Sequence, residues 1–364
     1  LTLGVPRPDW PGRLLHWQRD HGRQGLPWQG IRDPYRVWLS EVMLQQTQVS
    51  TVLGYYARFL ERFPDVRALA AAPADDVFGL WSGLGYYSRA RHLHACAQRV
   101  VTDHGGEFPR TSTGLQALPG IGRSTAAAIA AFCFDERVPI LDGNVKRVLA
   151  RHIGFADDLA RPAHERMLWQ HAESRLPGQR RDMPRYTQAL MDLGATLCLP
   201  RAPRCGDCPV AADCAAHQEG RPTAYPVKTR TLRRQQRSDT LLWLEHQDRV
   251  FLVPRPPRGV WAGLWSLPEV GDATAAQALS AAWPGTGEWL PAVVHVLTHR
   301  DWTLQALRWR LPTRGSAATL SDVAQRWPEG RWLAADKALA LGLPAPVRRW
   351  LTSAYSPSES ESVP

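Results

Sequence analysis

The chain has 364 residues, too many for one comfortable hydrophobic core, so two domains are expected. Apolar residues make up 44% and charged residues 21%, the balance of a globular protein, and no uninterrupted apolar run reaches the roughly eighteen residues of a membrane-spanning helix. The net charge of +10 makes nucleic acid the first candidate partner and an acidic membrane surface the second, and excludes an acidic, purely solvating chain.

In chain order, the first residues lack the basic start, apolar core and small-residue cleavage site of a secretory signal, so a cytoplasmic location (bacterial cytosol or nucleoid) is expected. Helix-length apolar patterns follow at 34–46, 50–63, 74–84, 88–105, 122–134, 143–154, 163–176 and 186–198. Short breakers such as FPD, AAPAD, GGEFP and RLPG separate them, the loop lengths of a packed helical domain over residues 1–214. Residues 215–238 are charged and poor in apolar side chains and read as a basic linker. From 239 to 353, β-rich runs (239–246, 248–256, 264–270, 293–299, 302–311, 331–336) alternate with helical patterns at 273–284, 320–327 and 345–355. This predicts a smaller α+β domain. The last stretch, 354–364, ends in SPSESESVP and reads as a disordered acidic tail.

Four of the six cysteines fall within CLPRAPRCGDCPVAADC, at Cys198, Cys205, Cys208 and Cys214. Thiolates so close in sequence can converge on one metal centre. Zinc sites commonly pair two Cys-x2-Cys knuckles across a longer gap, whereas here one knuckle is flanked by gaps of six and five, which favours an iron–sulfur cluster only modestly. Arg201 and Arg204 in this loop suit phosphate contacts and a solvated surface equally well. Cys96 and Cys133 read as small buried hydrophobes.

Leu118-Pro119-Gly120-Ile121-Gly122 precedes a strong helix former run that includes Ser124. Its glycines permit a tight turn with exposed N–H groups, and the helix N-terminus behind it favours an anion, so the two together grip a phosphate; alone, such a turn is often only a turn. VPILDGNVKRVLAR (138–151) follows. Asp142 there suits an N-cap, and an ionised carboxylate at a helix start also suits stabilising a sugar cation. Glu41, in SEVMLQQTQV (40–49), sits in an apolar stretch; a solvated face residue is the ordinary role for such a glutamate.

The four cysteine spacings resemble the cluster loop of the endonuclease III-like DNA glycosylases, and LPGIG with LDGNV resembles their helix-hairpin-helix and catalytic aspartate. SEVMLQQTQV resembles the MutY-type adenine glycosylases among them. The resemblance covers roughly residues 10 to 350. It implies a mainly α helix-hairpin-helix glycosylase domain with a [4Fe–4S] loop held by the four cysteines, joined to a Nudix-like domain. Glu41 is then the acid that protonates adenine at N7, raised in pKa by burial, Asp142 the carboxylate that stabilises the sugar cation, and Asn144 its orienting neighbour or a first-turn residue.

By the same resemblance, Trp28 and Gln29 in LPWQ line the adenine pocket and Gln188 hydrogen-bonds adenine. Gln46 and Thr47, with Leu84, Gly85 and Tyr86 in GLGYYSR, enter the DNA or touch the base opposite; Tyr87 reads as a core aromatic. Leu118 to Gly122 and Ser124 form the phosphate grip. Bifunctional relatives carry a lysine where Ser124 stands, so a hydrolase with little lyase activity is implied. VPRPPRGVWAGLWSLPE (253–269) resembles the Nudix-like segment of MutY-type enzymes, without the glutamate-rich helix of Nudix hydrolases. Leu297, Thr298 and His299 align with a Phe-Ser-His loop that recognises 8-oxoguanine; threonine keeps the hydroxyl, and the missing phenylalanine alters packing. The implied partner is double-stranded DNA with adenine opposite 8-oxoguanine or guanine, bound by a monomer without membrane association. A bifunctional oxidised-pyrimidine glycosylase and a catalytically silent DNA-binding relative are the alternatives.

Overall fold

The computed structural model describes residues 9–227, 229 and 234–355. The chain divides into two compact units: Leu1–Ala71 with Ala95–Thr231, and Ala72–His94 with Leu232–Pro364. Helices α1 (Trp10–His21), α2 (Pro34–Leu44), α3 (Val49–Arg62), α4 (Val66–Ala71), α5 (Ala74–Leu80), α6 (Ser88–His104), α7 (Ser112–Gln116), α8 (Arg123–Phe134), α9 (Gly143–His152), α10 (Pro162–Ser174), α11 (Met183–Asp192) and α12 (Ala215–Gln218) follow in order.

In the first unit, helix α2 begins where the Asp33 carboxylate accepts from the Tyr35 and Arg36 N–H groups, with Pro34 in the first turn. It was expected to run to Gln46. It stops at Leu44, because Gln46 adopts a left-handed backbone with φ of 58°. Helix α8 is buried along Ala126–Ala131, and its small side chains let α2 and α11 pack closely on it. Its core continues through Ile140, Leu141, Val145, Val148, Leu149, Leu190 and Leu193. Helix α11 ends at Asp192 and passes into one π-helical stretch, Leu193–Leu197.

The chain expected to be linker from 215 onward is ordered as far as 227: α12 is followed by a 3-10 turn at Pro222–Ala224. Arg151 ties its end to the cysteine loop. Its buried guanidinium donates from Nε to the Tyr225 carbonyl (3.1 Å), from Nη1 to Leu199 (2.7 Å) and from Nη2 to Pro200 (2.9 Å). The tail from 356 lies outside the described residues.

The second unit is built on a seven-stranded sheet. Its strands are β1 (Gln235–His246), β2 (Arg249–Pro254), β3 (Trp265–Ser266), β4 (Thr286–Trp289), β5 (Val293–Leu297), β6 (Arg300–Leu311) and β7 (Arg331–Ala334). The long strands β1 and β6 pair in parallel over their whole length. Side chains of β1 alternate between two cores: Leu241 and Trp243 enter one, Leu242 and Leu244 the other. Helices α15 (Ala335–Ala340) and α16 (Ala345–Tyr355) cover the first face, and α13 (Ala273–Ala281) and α14 (Ala317–Arg326) the second. A central strand buried on both faces has no polar alternation, which is why LLWL reads as one apolar run. Strand β4 and helix α15 had no signal in the sequence: TGEW and ADKALA carry too few apolar residues at a consistent period.

Replacing Arg151 by Met keeps the aliphatic volume and strands three carbonyls without their donors. The variant is expected to lose about 2–5 kcal/mol in urea unfolding, and wild-type stability would contradict this account of the ordered segment.

Candidate active site and nucleic-acid interface

The first unit builds its site on the start of α9. Asp142 is the N-cap, its Oδ1 accepting the Val145 N–H at 2.7 Å. That occupies one carboxylate oxygen and leaves the other to face a cavity that Asp142 lines. The capping and catalytic readings of this residue therefore coexist. Just upstream, the Ser124 hydroxyl accepts the Leu141 N–H at 3.0 Å, which fixes the backbone leading into Asp142. Asn144 lines the same cavity, and its Oδ1 accepts from Arg147 Nη2 at 3.0 Å. Arg147 also donates to the carbonyls of Gly194 and Cys198, both at 2.7 Å. Gly194 allows this approach, because a Cβ there would meet Asn144 Cβ at 2.8 Å.

Glu41 faces the same space from α2. It lines two cavities at once, one of about 870 Å³ with Gln46, Thr47, Ser124, Asp142 and Asn144, the other of about 530 Å³ with Trp28, Gln29 and Gln188. Burial, and then the Asp142 carboxylate, push the Glu41 carboxyl up to about 8. It therefore holds its proton at neutral pH, beside a second carboxylate seated on a helix N-terminus. The upward shift by burial is the direction expected from the SEVMLQQTQV resemblance, and the Asp142 carboxylate, 101 positions away in sequence, adds to it.

Of the expected base pocket, Trp28 is buried edge-on against Tyr56, with centroids 5.2 Å apart. Gln29 lines the cavity, but both ends of its amide are engaged within its own loop: Nε2 donates to Arg23 O (3.0 Å) and Oε1 accepts from Leu26 N (3.1 Å). Its role is to shape the loop. Gln188 donates its Nε2 to Asp192 at 2.8 Å. Sequence reasoning missed Arg23, Arg32 and Arg185, which also line this cavity, Arg23 paired with Asp192 and Arg32 with Asp135. Isolated arginines in polar segments offer no pattern to find them by.

The LPGIG turn is placed as expected. Leu118 and Ile121 are buried, Gly120 has φ of 74°, and Gly120 and Gly122 are exposed. No side chain caps the first turn of α8, so its N–H groups remain open to an anion. Arg123 lies over the Trp169 ring at 3.8 Å.

In the second unit, Tyr86 stands 49% exposed with φ of 46°, next to Gly85 at 69°. The loop is held from beneath: Arg89 Nη2 donates to the Leu84 (3.0 Å) and Gly85 (3.3 Å) carbonyls, and Trp81 Nε1 to Gly85 (3.1 Å). The Leu84 side chain is buried, so it supports the loop and does not offer itself to a base. Tyr87 donates to the Leu343 carbonyl at 3.3 Å, as suits a structural aromatic. Leu297 and Thr298 line a cavity with Tyr86, Arg234 and Val296. Thr298 and His299 form the two-residue turn between β5 and β6. Leu297 packs on the sheet core where the family pattern has phenylalanine. Arg234 and Val296 were not anticipated.

The four clustered cysteines line one cavity together with Val148, Leu193, Leu197 and Val210. Burial, then the neighbouring thiols, push Cys208 up to about 12, so ionising the set needs a cationic centre among the sulfurs. Among the described residues no three His, Cys, Asp or Glu side chains are disposed to hold a single metal ion. Arg204 pairs with Asp207 (2.8 Å), and Arg201 is exposed.

The HhH-GPD superfamily of base excision DNA repair proteins matches residues 39–173, and the NUDIX domain matches residues 240–353. An adenine DNA glycosylase of Buchnera aphidicola is 38% identical over 70% of this chain and 72% of its own length. The Rattus norvegicus and Homo sapiens adenine DNA glycosylases are 36% and 33% identical, over 88% of this chain in both cases and over 73% and 69% of their own lengths. A solved thermostable thymine-DNA glycosylase superposes with a TM-score of 0.51 at 28% identity, covering 57% of this chain and 95% of its own. The chain thus joins a helical domain of the HhH-GPD superfamily to a NUDIX domain, and it belongs to the adenine DNA glycosylase family.

Proposed function

We propose that this protein removes adenine paired with 8-oxoguanine, or with guanine, from duplex DNA by hydrolysing the N-glycosidic bond in base excision repair. The observation that carries this reading is the pairing of Glu41 and Asp142 at one cavity, one carboxyl held protonated and the other at a helix N-terminus. The flipped base enters the cavity of Trp28 and Gln188. Glu41 donates its proton to N7, the C1′–N9 bond breaks, and its electron pair leaves with neutral adenine. Asp142 stabilises the resulting sugar cation, and Asn144, oriented by Arg147, keeps the carboxylate in place. Water attacks C1′, giving up a proton to the now ionised Glu41, and an abasic site remains. Tyr86, Leu297, Thr298 and His299 read the opposite base, Gln46 and Thr47 support the opened duplex, and the hairpin N–H groups hold a phosphate.

Cys198, Cys205, Cys208 and Cys214 would hold a [4Fe–4S] cluster; the cavity that all four line suits such a group. When bound it supplies a rigid cross-link for the loop and takes no part in hydrolysis. The protein acts as a monomer in the cytoplasm.

The deciding assay presents adenine opposite 8-oxoguanine, guanine or thymine, with alkali added to reveal abasic sites. Release confined to the first two is expected; equal release of adenine from all three, or release from none, would overturn the reading. Glu41→Gln should lose about 10²–10⁴-fold in single-turnover rate, and a wild-type rate would end the acid assignment. Because the folded carboxyl titrates near 8, the wild-type rate should hold across neutral pH and fall as pH rises through about 8. A profile flat to pH 10 would contradict it.

Ser124 is committed to Leu141 and offers no amine, so borohydride should trap no covalent adduct there; efficient trapping would show lyase chemistry. Purified protein should be brown with about four irons per chain, whereas one zinc per chain would assign the loop to a single ion.

A further inference from the structure

We propose that Asp192 is a positioning residue that sets the preference for a 6-amino purine, by fixing which end of the Gln188 amide faces the base. The inference rests on the reading that this cavity receives adenine.

Asp192 is the last residue of α11, four positions after Gln188, and its side chain is fully buried. Its Oδ1 accepts from Gln188 Nε2 (2.8 Å) and Arg23 Nε (2.7 Å), and its Oδ2 accepts the Arg23 backbone N–H (3.1 Å). A glutamine amide is nearly symmetric in shape and opposite in chemistry at its two ends, so an unrestrained one turns to suit either ligand. A carboxylate offers acceptors only, so just the NH2 end can face it. Arg23 holds that carboxylate from two directions and keeps it from swinging away. The other end, Oε1, accepts from no described protein donor, and Gln188 lines the cavity.

The cavity therefore meets its ligand with an acceptor at this point. A 6-amino purine answers with an N–H; a 6-oxo purine brings a second lone pair and is repelled. Gln29 cannot replace this contact, because both ends of its amide are already engaged. Sites built to take a particular hydrogen bond reject analogues lacking it by several orders of magnitude, because buried groups are left unpaired.

The test uses duplexes that differ only at C6 of the target purine: amino (adenine), hydrogen (purine) or oxo (hypoxanthine). In Asp192→Ala the adenine-to-hypoxanthine ratio of kcat/KM should fall by roughly tenfold or more, mainly through KM for adenine, with unsubstituted purine little changed. A merely structural role would lower all three substrates together and overturn the proposal. Should that variant fail to fold, Asp192→Leu with Arg23→Met replaces the buried ion pair by apolar side chains, an exchange that proteins tolerate; the same fall in ratio is expected. Gln188→Met should show the same loss, and combining it with either Asp192 change should add nothing further. Independent, additive losses would overturn the proposal. If the wild-type protein releases no base from any duplex, the functional reading itself fails; if it releases adenine and the ratio is unmoved in the variants, only the role of Asp192 does.

Discussion

Helix α9 is the member on which the first unit depends. Its first residue is preceded by a carboxylate that closes the helix and faces the cavity. One turn and two turns further on, Arg147 and Arg151 point the same way and tie down chain that has no regular structure of its own. The carbonyls they satisfy belong to the π-helical stretch, the cysteine loop and the segment after it. Buried carbonyls without donors cost about 1–3 kcal/mol each, so the five carbonyls that these two side chains satisfy weigh heavily in the packing of this stretch. The same helix thus fixes the position of Asp142 and of Cys198, and a displacement at one end is felt at the other.

Much of this was legible in the sequence, for reasons that differ by element. Most helices from Pro34 to Leu197 show clear apolar periods bounded by prolines and glycines, and their limits fall within a few residues of the expected ones; the short α4 and α7 carry too few residues to show a period and were not expected. The failures are local. A helix expected to include Gln46 ends before it, because a left-handed residue is a backbone property that no apolar period encodes. The stretch after Cys214 looked like linker since its charge count is high, yet one buried arginine from far upstream ties down its end. The site was legible where a motif carried it, as with Asp142 and the LPGIG turn. It was illegible where a side chain works through a spatial neighbour. Arg23, in the loop after α1, and Arg147 and Asp192, in helices, are ordinary residues in ordinary contexts, and only their partners give them roles.

Two of the residues expected to enter DNA, Gln46 and Tyr86, are also two of the six non-glycine residues with left-handed backbones among the described residues. Such a conformation costs on the order of 1 kcal/mol in a residue with a Cβ. Around Tyr86 the compensation is visible: Arg89 and Trp81 occupy the carbonyls of the loop and Leu84 anchors it in the core. The strain is offset inside the protein, and the ring is held half-exposed at the surface.

Ser124 carries a consequence for how this catalytic scaffold can diverge. Its hydroxyl is the acceptor that seats Leu141, and Leu141 seats Asp142. An amine placed at 124 would acquire a nucleophile and surrender that acceptor in the same step, since an ammonium has no lone pair to offer the Leu141 N–H. A lysine at 124 would therefore bring a nucleophile at the cost of the hydroxyl that now holds the chain leading into the aspartate, which would be left to its own bond to Val145.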